Sequence, residues 1–196
     1  MKQQAVHLRV CFLSYWHAGS GLGRGAELDA LVLKDARGLP YLPGRTVKGL
    51  LREGMQCCED VGVLPRGRTA EIFGVPTVKD APDSSVPGRL FFSDARLPRE
   101  DHEWLGGAEG ADDRRALYDA FAATRIDSRG LAVDHTLRTI ELCVPVELVA
   151  TVSGAEGDWP ADLQRACSLV RGAGSHRSRG LGRCEMTIQT GGHAHA

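Results

Sequence analysis

The chain has 196 residues, 42% of them hydrophobic and 25% charged, with a formal net charge of −1. That length suits one domain with a real core. No run approaches the ~20 apolar residues of a membrane span, and the balanced charge argues against a protein held to duplex DNA by bulk charge.

The opening Met-Lys-Gln-Gln-Ala-Val-His lacks the apolar stretch of a signal peptide, so a cytoplasmic location is expected. Six cysteines are present (Cys11, Cys57, Cys58, Cys143, Cys167, Cys184). None forms a C-x-x-C pair and most lie in apolar segments, which predicts buried free thiols rather than zinc ligands or disulfides. Charge is segregated along the chain: residues 94–113 are acidic, whereas 171–183 hold four arginines and no acid. Only four of the 24 basic residues are lysines. Arginine forks grip phosphate bidentately and stack on bases; genomic base composition is the plainer explanation of the bias.

In chain order, residues 5–16 are β-branched and aromatic enough for a strand. A glycine loop, 17–25, follows, then a short strand over 28–33 with Asp29 at its start, and a turn at Asp35–Gly38. A helix is predicted from Gly44 to about Cys58, its apolar positions Val47, Leu50, Leu51 and Met55 lying on one buried face. Residues 62–87 hold four prolines and read as an irregular excursion with one short helical turn near 71–74. Residues 88–95 form a strand. The acidic stretch 96–116 reads as loop-like, with Arg114 and Arg115 on a solvated helix face. Residues 124–139 are polar and lead into a long strand, 140–152, whose Pro145 calls for an edge or a bulge. A helix over 159–171, a glycine loop over 172–182 and a last strand over 183–190 complete the chain, with a frayed tail. The core order is therefore βαββαβ, an α+β ferredoxin-like or RRM-like single domain spanning 1–196. Its insertions fall near 17–43, 62–87 and 96–139.

The densest chemistry lies in Tyr-Leu-Pro-Gly-Arg-Thr-Val-Lys-Gly-Leu-Leu-Arg, residues 41–52. A Pro-Gly turn runs into a helix whose start carries Arg45, Thr46 and Lys48. Unpaired N–H groups and the helix dipole make such a start a phosphate site. The segment Gly174–Arg183, glycine- and arginine-rich, repeats that chemistry. A nucleic-acid backbone lying across the sheet and helix starts would meet Gly44, Arg45, Thr46, Lys48 and Arg52, then Arg177, Ser178, Arg179 and Gly180. Such contacts position a backbone without reading sequence.

Three features in this order resemble the RAMP superfamily of CRISPR-associated proteins, above all the backbone subunit of type III effector complexes. They are Pro43–Arg52, Ser93-Asp94-Ala95 and Gly174–Arg183, and the likeness runs over roughly residues 5–190. The family's catalytic aspartate precedes a short apolar run, a second aspartate and the Pro-Gly helix start; Asp29-Ala30-Leu31-Val32-Leu33-Lys34-Asp35 is similar. The resemblance implies Asp29 as the cleaving residue, His17 near the guide RNA, and residues 125–139 as a β-hairpin thumb that flips a base pair. Arg129, and Leu131 and Val133 as apolar wedges, would serve that thumb. Arg45-Thr46 replaces the Ser-Ser or Ser-Leu of many members, which marks a divergent branch. The implied partners are crRNA, target RNA, other RAMP subunits, a small helical subunit, a large polymerase-like subunit and copies of the chain in a filament, with no membrane. Asp29 would either hold Mg2+ or another divalent cation with RNA oxygens completing the shell, or orient a 2′-hydroxyl for in-line attack.

Plainer readings stand beside these. Asp29 at a strand start also suits a plain turn cap, and His17 is more often a structural loop histidine. Gly21–Ala26 fits a relaxed dinucleotide fingerprint without the helix it needs, and His193 and His195 make no credible metal site. Two functions compete with target cleavage: a catalytically silent structural subunit of the same complex, and a guide-processing endoribonuclease acting alone.

Overall fold

The computed structural model describes residues 2–25, 27–75 and 84–189. The elements run β1 (Gln3–Phe12), α1 (Gly44–Asp60), α2 (Arg68–Phe73), β2 (Gly74–Val75), β3 (Val86–Pro87), β4 (Leu90–Phe92), α3 (Arg99–Gly106), α4 (Ala111–Ala116), β5 (Tyr118–Ala123), β6 (Arg138–Cys143), β7 (Glu147–Ala155), α5 (Trp159–Cys167), a 3-10 turn (Arg177–Arg179) and β8 (Cys184–Gln189).

Strands β4, β7, β1 and β8 form one antiparallel sheet in that order. With α1 leading from β1 to β4 and α5 from β7 to β8, this is the ferredoxin-like arrangement. Alternation along β1 buries Val6, Leu8, Val10 and Phe12 on one face. Against them pack Leu148, Ala150 and Val152 of β7, Val47, Leu51 and Met55 of α1, and Leu163 and Ala166 of α5. The opposite face presents His7, Arg9, Thr151, Ser153, Glu185 and Thr187, with Phe91 its single Phe, Tyr or Trp among the described residues. Arg9 is neutralised there by Glu147 at 2.5 Å.

Four expectations change. The strand expected over 140–152 is two strands: β6 ends at Cys143, Pro145 is exposed between them, and β7 starts at Glu147. Proline cannot donate to a ladder, and here the chain leaves a separate hairpin, β5–β6, to enter the main sheet. The strand expected over 28–33 joins no sheet; it makes isolated bridges, Gly19–Val32 and the parallel Ala30–Ile140. The acidic loop holds helices α3 and α4. Neither buries a residue, so no apolar period marked them. What supports them is local: Pro98 ahead of the first turn, Glu100 and Asp101 at the positive end of α3, and the pairs Arg99–Glu103 and Asp112–Arg115. Arg114 is more than solvated surface, since its Nη1 donates to the carbonyls of Leu105 and, at 3.1 Å, Gly107. The last helix also stops earlier, at Cys167. The short turn near 71–74 is the end of α2, and the tail expected to fray lies outside the described residues.

All six cysteines are free. Burial pushes the thiols of Cys143 and Cys167 up to about 12 and that of Cys184 up to about 11. Cys58 is buried and its neighbour Cys57 exposed. Among the described residues no helix is long and apolar enough to cross a membrane.

Helices α1 and α5 cross with backbone nearly touching. A Cβ on Gly54 would sit 2.7 Å from the carbonyl oxygen of Ala166, and both residues are buried. Gly54→Ala should therefore wedge the helices apart and cost about 1–3 kcal/mol, as overpacked cores do. Urea unfolding of the two proteins checks this; equal midpoints would show that the crossing has slack.

Candidate nucleic-acid interface

Strand register determines where the loops meet. Cys11 faces Glu147 and Phe12 faces Cys184, so the starts of β7 and β8 flank the end of β1. The segment after β1, the root of the β5–β6 hairpin and the glycine loop before β8 are thereby gathered at one end of the sheet. Backbone bonds tie them: Leu13 N to Arg183 O at 2.8 Å, Gly182 N to Tyr15 O at 2.7 Å, and Ser175 N to His17 O at 2.8 Å. Buried Trp16 donates its indole N–H to Val144 O at 3.0 Å.

Helix α1 starts close to the end of β4. A Cβ on Gly44 would lie 2.3 Å from Phe92 O, so only glycine lets the helix seat there. The Gly44 N–H is not left for a ligand: it donates to Asp94 Oδ1 at 3.0 Å. The Pro-Gly and Ser-Asp-Ala motifs are thus two halves of one cap, with Asp94 Oδ2 also accepting from Arg96 at 3.0 Å. A carboxylate therefore already uses part of the helix's positive end, and anion binding there depends on the side chains beyond it. Arg45 is exposed, and Thr46, Lys48 and Arg52 are half-buried. Arg45, Lys48 and Arg52 have no hydrogen-bond or ion-pair partner among the described residues, and three- to four-residue spacing puts them on one ridge.

The glycine loop adjoins that ridge. Arg177 reaches Glu53, next to Arg52, with 3.4 Å contacts from both Nη atoms. Ser178 and Arg179 are exposed without side-chain partners among the described residues. The Gly180 carbonyl accepts from Ser14 Oγ at 3.3 Å. A groove of about 310 Å³ runs between α1 and the loop, lined in part by Leu50, Cys57, Val170, Arg171 and Arg177. The two basic segments that the sequence singles out are neighbours.

Asp29 is exposed beside the outer part of the hairpin, where Thr139 pairs with Ala122. Its N–H donates to Thr139 O at 2.7 Å, and Thr139 N–H donates to its Oδ2, also at 2.7 Å. Oδ1 has no partner among the described residues. His17 is placed otherwise than at a surface: it is 4% exposed, and its Nδ1 lies 2.6 Å from Glu141 O. A side chain so covered has no face to offer RNA, and its role here is to join the first loop to β6.

The thumb is longer than residues 125–139, since β5 pairs with β6 from Tyr118–Cys143 to Ala123–Arg138. Its tip is organised by Asp127, whose Oδ1 accepts from the N–H groups of Arg129 at 2.8 Å and Leu131 at 2.9 Å. Those backbone bonds hold the Asp127 carboxyl below its usual value. Arg129 folds back onto the same carboxylate at 3.2 Å. Leu131 is exposed and Val133 half-buried. Sequence reasoning missed Phe121, Ile126 and Leu137, all large, apolar and exposed along the same hairpin. The signal for them was present as apolar residues inside an otherwise polar stretch.

Among the described residues no group of three or more His, Cys, Asp or Glu side chains could hold a metal ion. Asp29 is a lone carboxylate with one oxygen committed to Thr139 N–H.

A family model described as the RAMP superfamily matches residues 12–185. The chain belongs to the RAMP superfamily. Among solved structures, this RAMP protein is similar to the cryo-EM structure of the Type III-B Cmr-beta bound to cognate target RNA, with TM-score 0.72 and 12% identity over 94% of this chain and 96% of that one. It is also similar to the apo state of Type III-B Cmr-beta, with TM-score 0.67 and 12% identity over 94% and 97%. At that identity the likeness is one of fold. A comparison with curated proteins finds no match.

The RAMP core's first crossover is pinned by Asp35. Oδ1 accepts from Arg37 N at 2.9 Å and Leu39 N at 3.0 Å, while Oδ2 meets Arg96 at 3.1 Å and His102 of α3 at 2.8 Å. Burial pushes this carboxyl up, but the bonds from His102, Leu39 and Arg37 outweigh it and hold the group below its ordinary 3.8. A depressed carboxyl stabilises fully above its unfolded value, and that stability is lost as pH falls through the folded one. Asp35→Asn should therefore lower the melting temperature at neutral pH, with the gap to the parent closing as the solution is acidified. A gap that stays constant into strong acid would contradict this account.

Proposed function

We propose that this RAMP protein is a subunit of a type III CRISPR RNA-guided effector complex, binding crRNA along its backbone and cleaving paired target RNA through Asp29. One observation carries the reading: an exposed carboxylate with one free oxygen lies against Thr139 of the thumb, on the segment that leaves the sheet end where the glycine loop and a ridge of unpaired cations meet. A neighbouring fold described as bound to cognate target RNA supports it. Arg45, Lys48, Arg52 and Arg179 would hold phosphates, while guide–target pairing supplies sequence choice. The open sheet face, lacking an aromatic row and with Arg9 neutralised, is a poor platform for stacked bases. The RNA path therefore follows the α1 ridge and the glycine loop rather than crossing the sheet.

At the cut, Asp29 Oδ1 would accept the proton of a 2′-hydroxyl as that oxygen attacks the adjacent phosphorus in line and the 5′-oxygen leaves. Mg2+ or another divalent cation belongs to this reading as a companion of the RNA, held chiefly by phosphate and water oxygens. The expected partners are target RNA, other RAMP subunits, a small helical subunit, a large polymerase-like subunit and further copies of this chain in a filament, all in the cytoplasm.

Asp29→Asn keeps an acceptor for Thr139 N–H and removes the charge. In the assembled complex it should slow target cleavage by roughly 10²- to 10⁴-fold, with guide loading and target affinity intact; undiminished cutting would refute the reading. Backbone binding should also show in salt. Replacing Arg45 and Arg52 by alanine should flatten the slope of log affinity against log salt by about 0.7 per cation removed, and an unaltered slope would place the RNA elsewhere.

One observation favours the silent structural subunit: Asp29 Oδ2 already serves as a backbone acceptor, so the residue has a structural task. The Asp29→Asn measurement separates the two. A lone guide-processing nuclease that used His17 as its acid–base is not favoured, since His17 is buried.

A further inference from the structure

We propose that Glu141 is a positioning residue for Asp29, fixing the loop that carries the carboxylate to the thumb; this deepens the reading of Asp29 above and rests on it. Glu141 lies on β6, two residues beyond Thr139, and is 6% exposed. Every polar group it has is engaged. Its Oε2 accepts from Val32 N at 3.0 Å and its Oε1 from Lys34 Nζ at 2.7 Å. Its main-chain N–H donates to Ala30 O at 2.9 Å, and its carbonyl faces His17 Nδ1 at 2.6 Å. Three of these four partners belong to the segment that begins at Asp29.

That segment needs an anchor because it has no ladder of its own. It runs parallel to β6 through the single bridge Ala30–Ile140, and a slip of one residue would turn Asp29 to the opposite side. Two clamps prevent the slip: the Asp29–Thr139 pair, and Glu141 across Ala30, Val32 and Lys34. A buried carboxylate is costly unless paired and fully hydrogen-bonded, and an apolar residue would fill the space equally well. What the carboxylate adds is register. The clamp also reaches the other thumb strand, since Lys34 Nζ lies 3.7 Å from the ring centroid of Tyr118, whose hydroxyl donates to Gly38 O at 2.7 Å. The segment that carries Asp29 is thus tied to both thumb strands.

The test uses the assembled guide complex with Glu141→Gln, Lys34→Met and Lys34→Arg, each beside Asp29→Asn. Glu141→Gln keeps an acceptor for Val32 N and loses the charge that holds Lys34. We expect guide loading and target affinity to be retained, with the single-turnover cleavage rate at saturating target falling roughly ten- to hundred-fold in Glu141→Gln and Lys34→Met. Lys34→Arg, which restores the charge, should recover the rate. A residue that only stabilised the fold would lower loading in step with cleavage. Wild-type rates in both Glu141→Gln and Lys34→Met would overturn the inference while Asp29→Asn stays slow; wild-type cutting by Asp29→Asn would overturn the underlying reading instead. Should Glu141→Gln not assemble, equal rates in Lys34→Met and Lys34→Arg would overturn the inference and unequal rates support it.

Discussion

β1 lies between β7 and β8 and runs antiparallel to both. From that pairing the rest follows. The end of β1 must lie beside the beginnings of its two neighbours, so three connections distant in sequence converge on one end of the sheet. The glycine loop, the thumb root and the segment carrying Asp29 become a single surface without any one of them forming a site alone. The apolar alternation of β1 enforces it, because a shift of register would expose Leu8 and Val10.

Charge on that surface is divided between structural and unassigned work. Asp94 takes the first N–H of α1, Asp35 gathers Arg96 and His102, and Glu141 takes Lys34. The acids near the crossover are spent on holding the chain, whereas Arg45, Lys48, Arg52 and Arg179 are left to solvent. A protein of net charge −1 can in this way present a local cationic ridge, which is what a polyanion would meet.

Much of the fold was legible because β1, α1, β7 and β8 each bury a clear periodic face. The family membership was legible in the order of Pro43–Arg52, Ser93–Ala95 and Gly174–Arg183. Helices α3 and α4 were not, since they bury nothing and so leave no apolar period. Pro145 marked an irregularity, but not that the chain changes sheets there: one apolar run crosses two sheets, and hydrophobicity alone carries no mark of the change. Phe121, Ile126 and Leu137 stood out only as apolar residues in a polar stretch; that they are exposed is a property of packing, which spacing does not report.

The amino-acid order by itself determined the βαββαβ core, the two basic glycine-rich segments and the superfamily, since these depend on local periodicity and short motifs. Tertiary structure alone decided that Asp94 shares the helix start, that His17 lies inside, and that Asp29 is bound to Thr139 on the thumb. Those are pairings between residues far apart in the chain, and nothing in either residue's own neighbourhood says which partner it will meet.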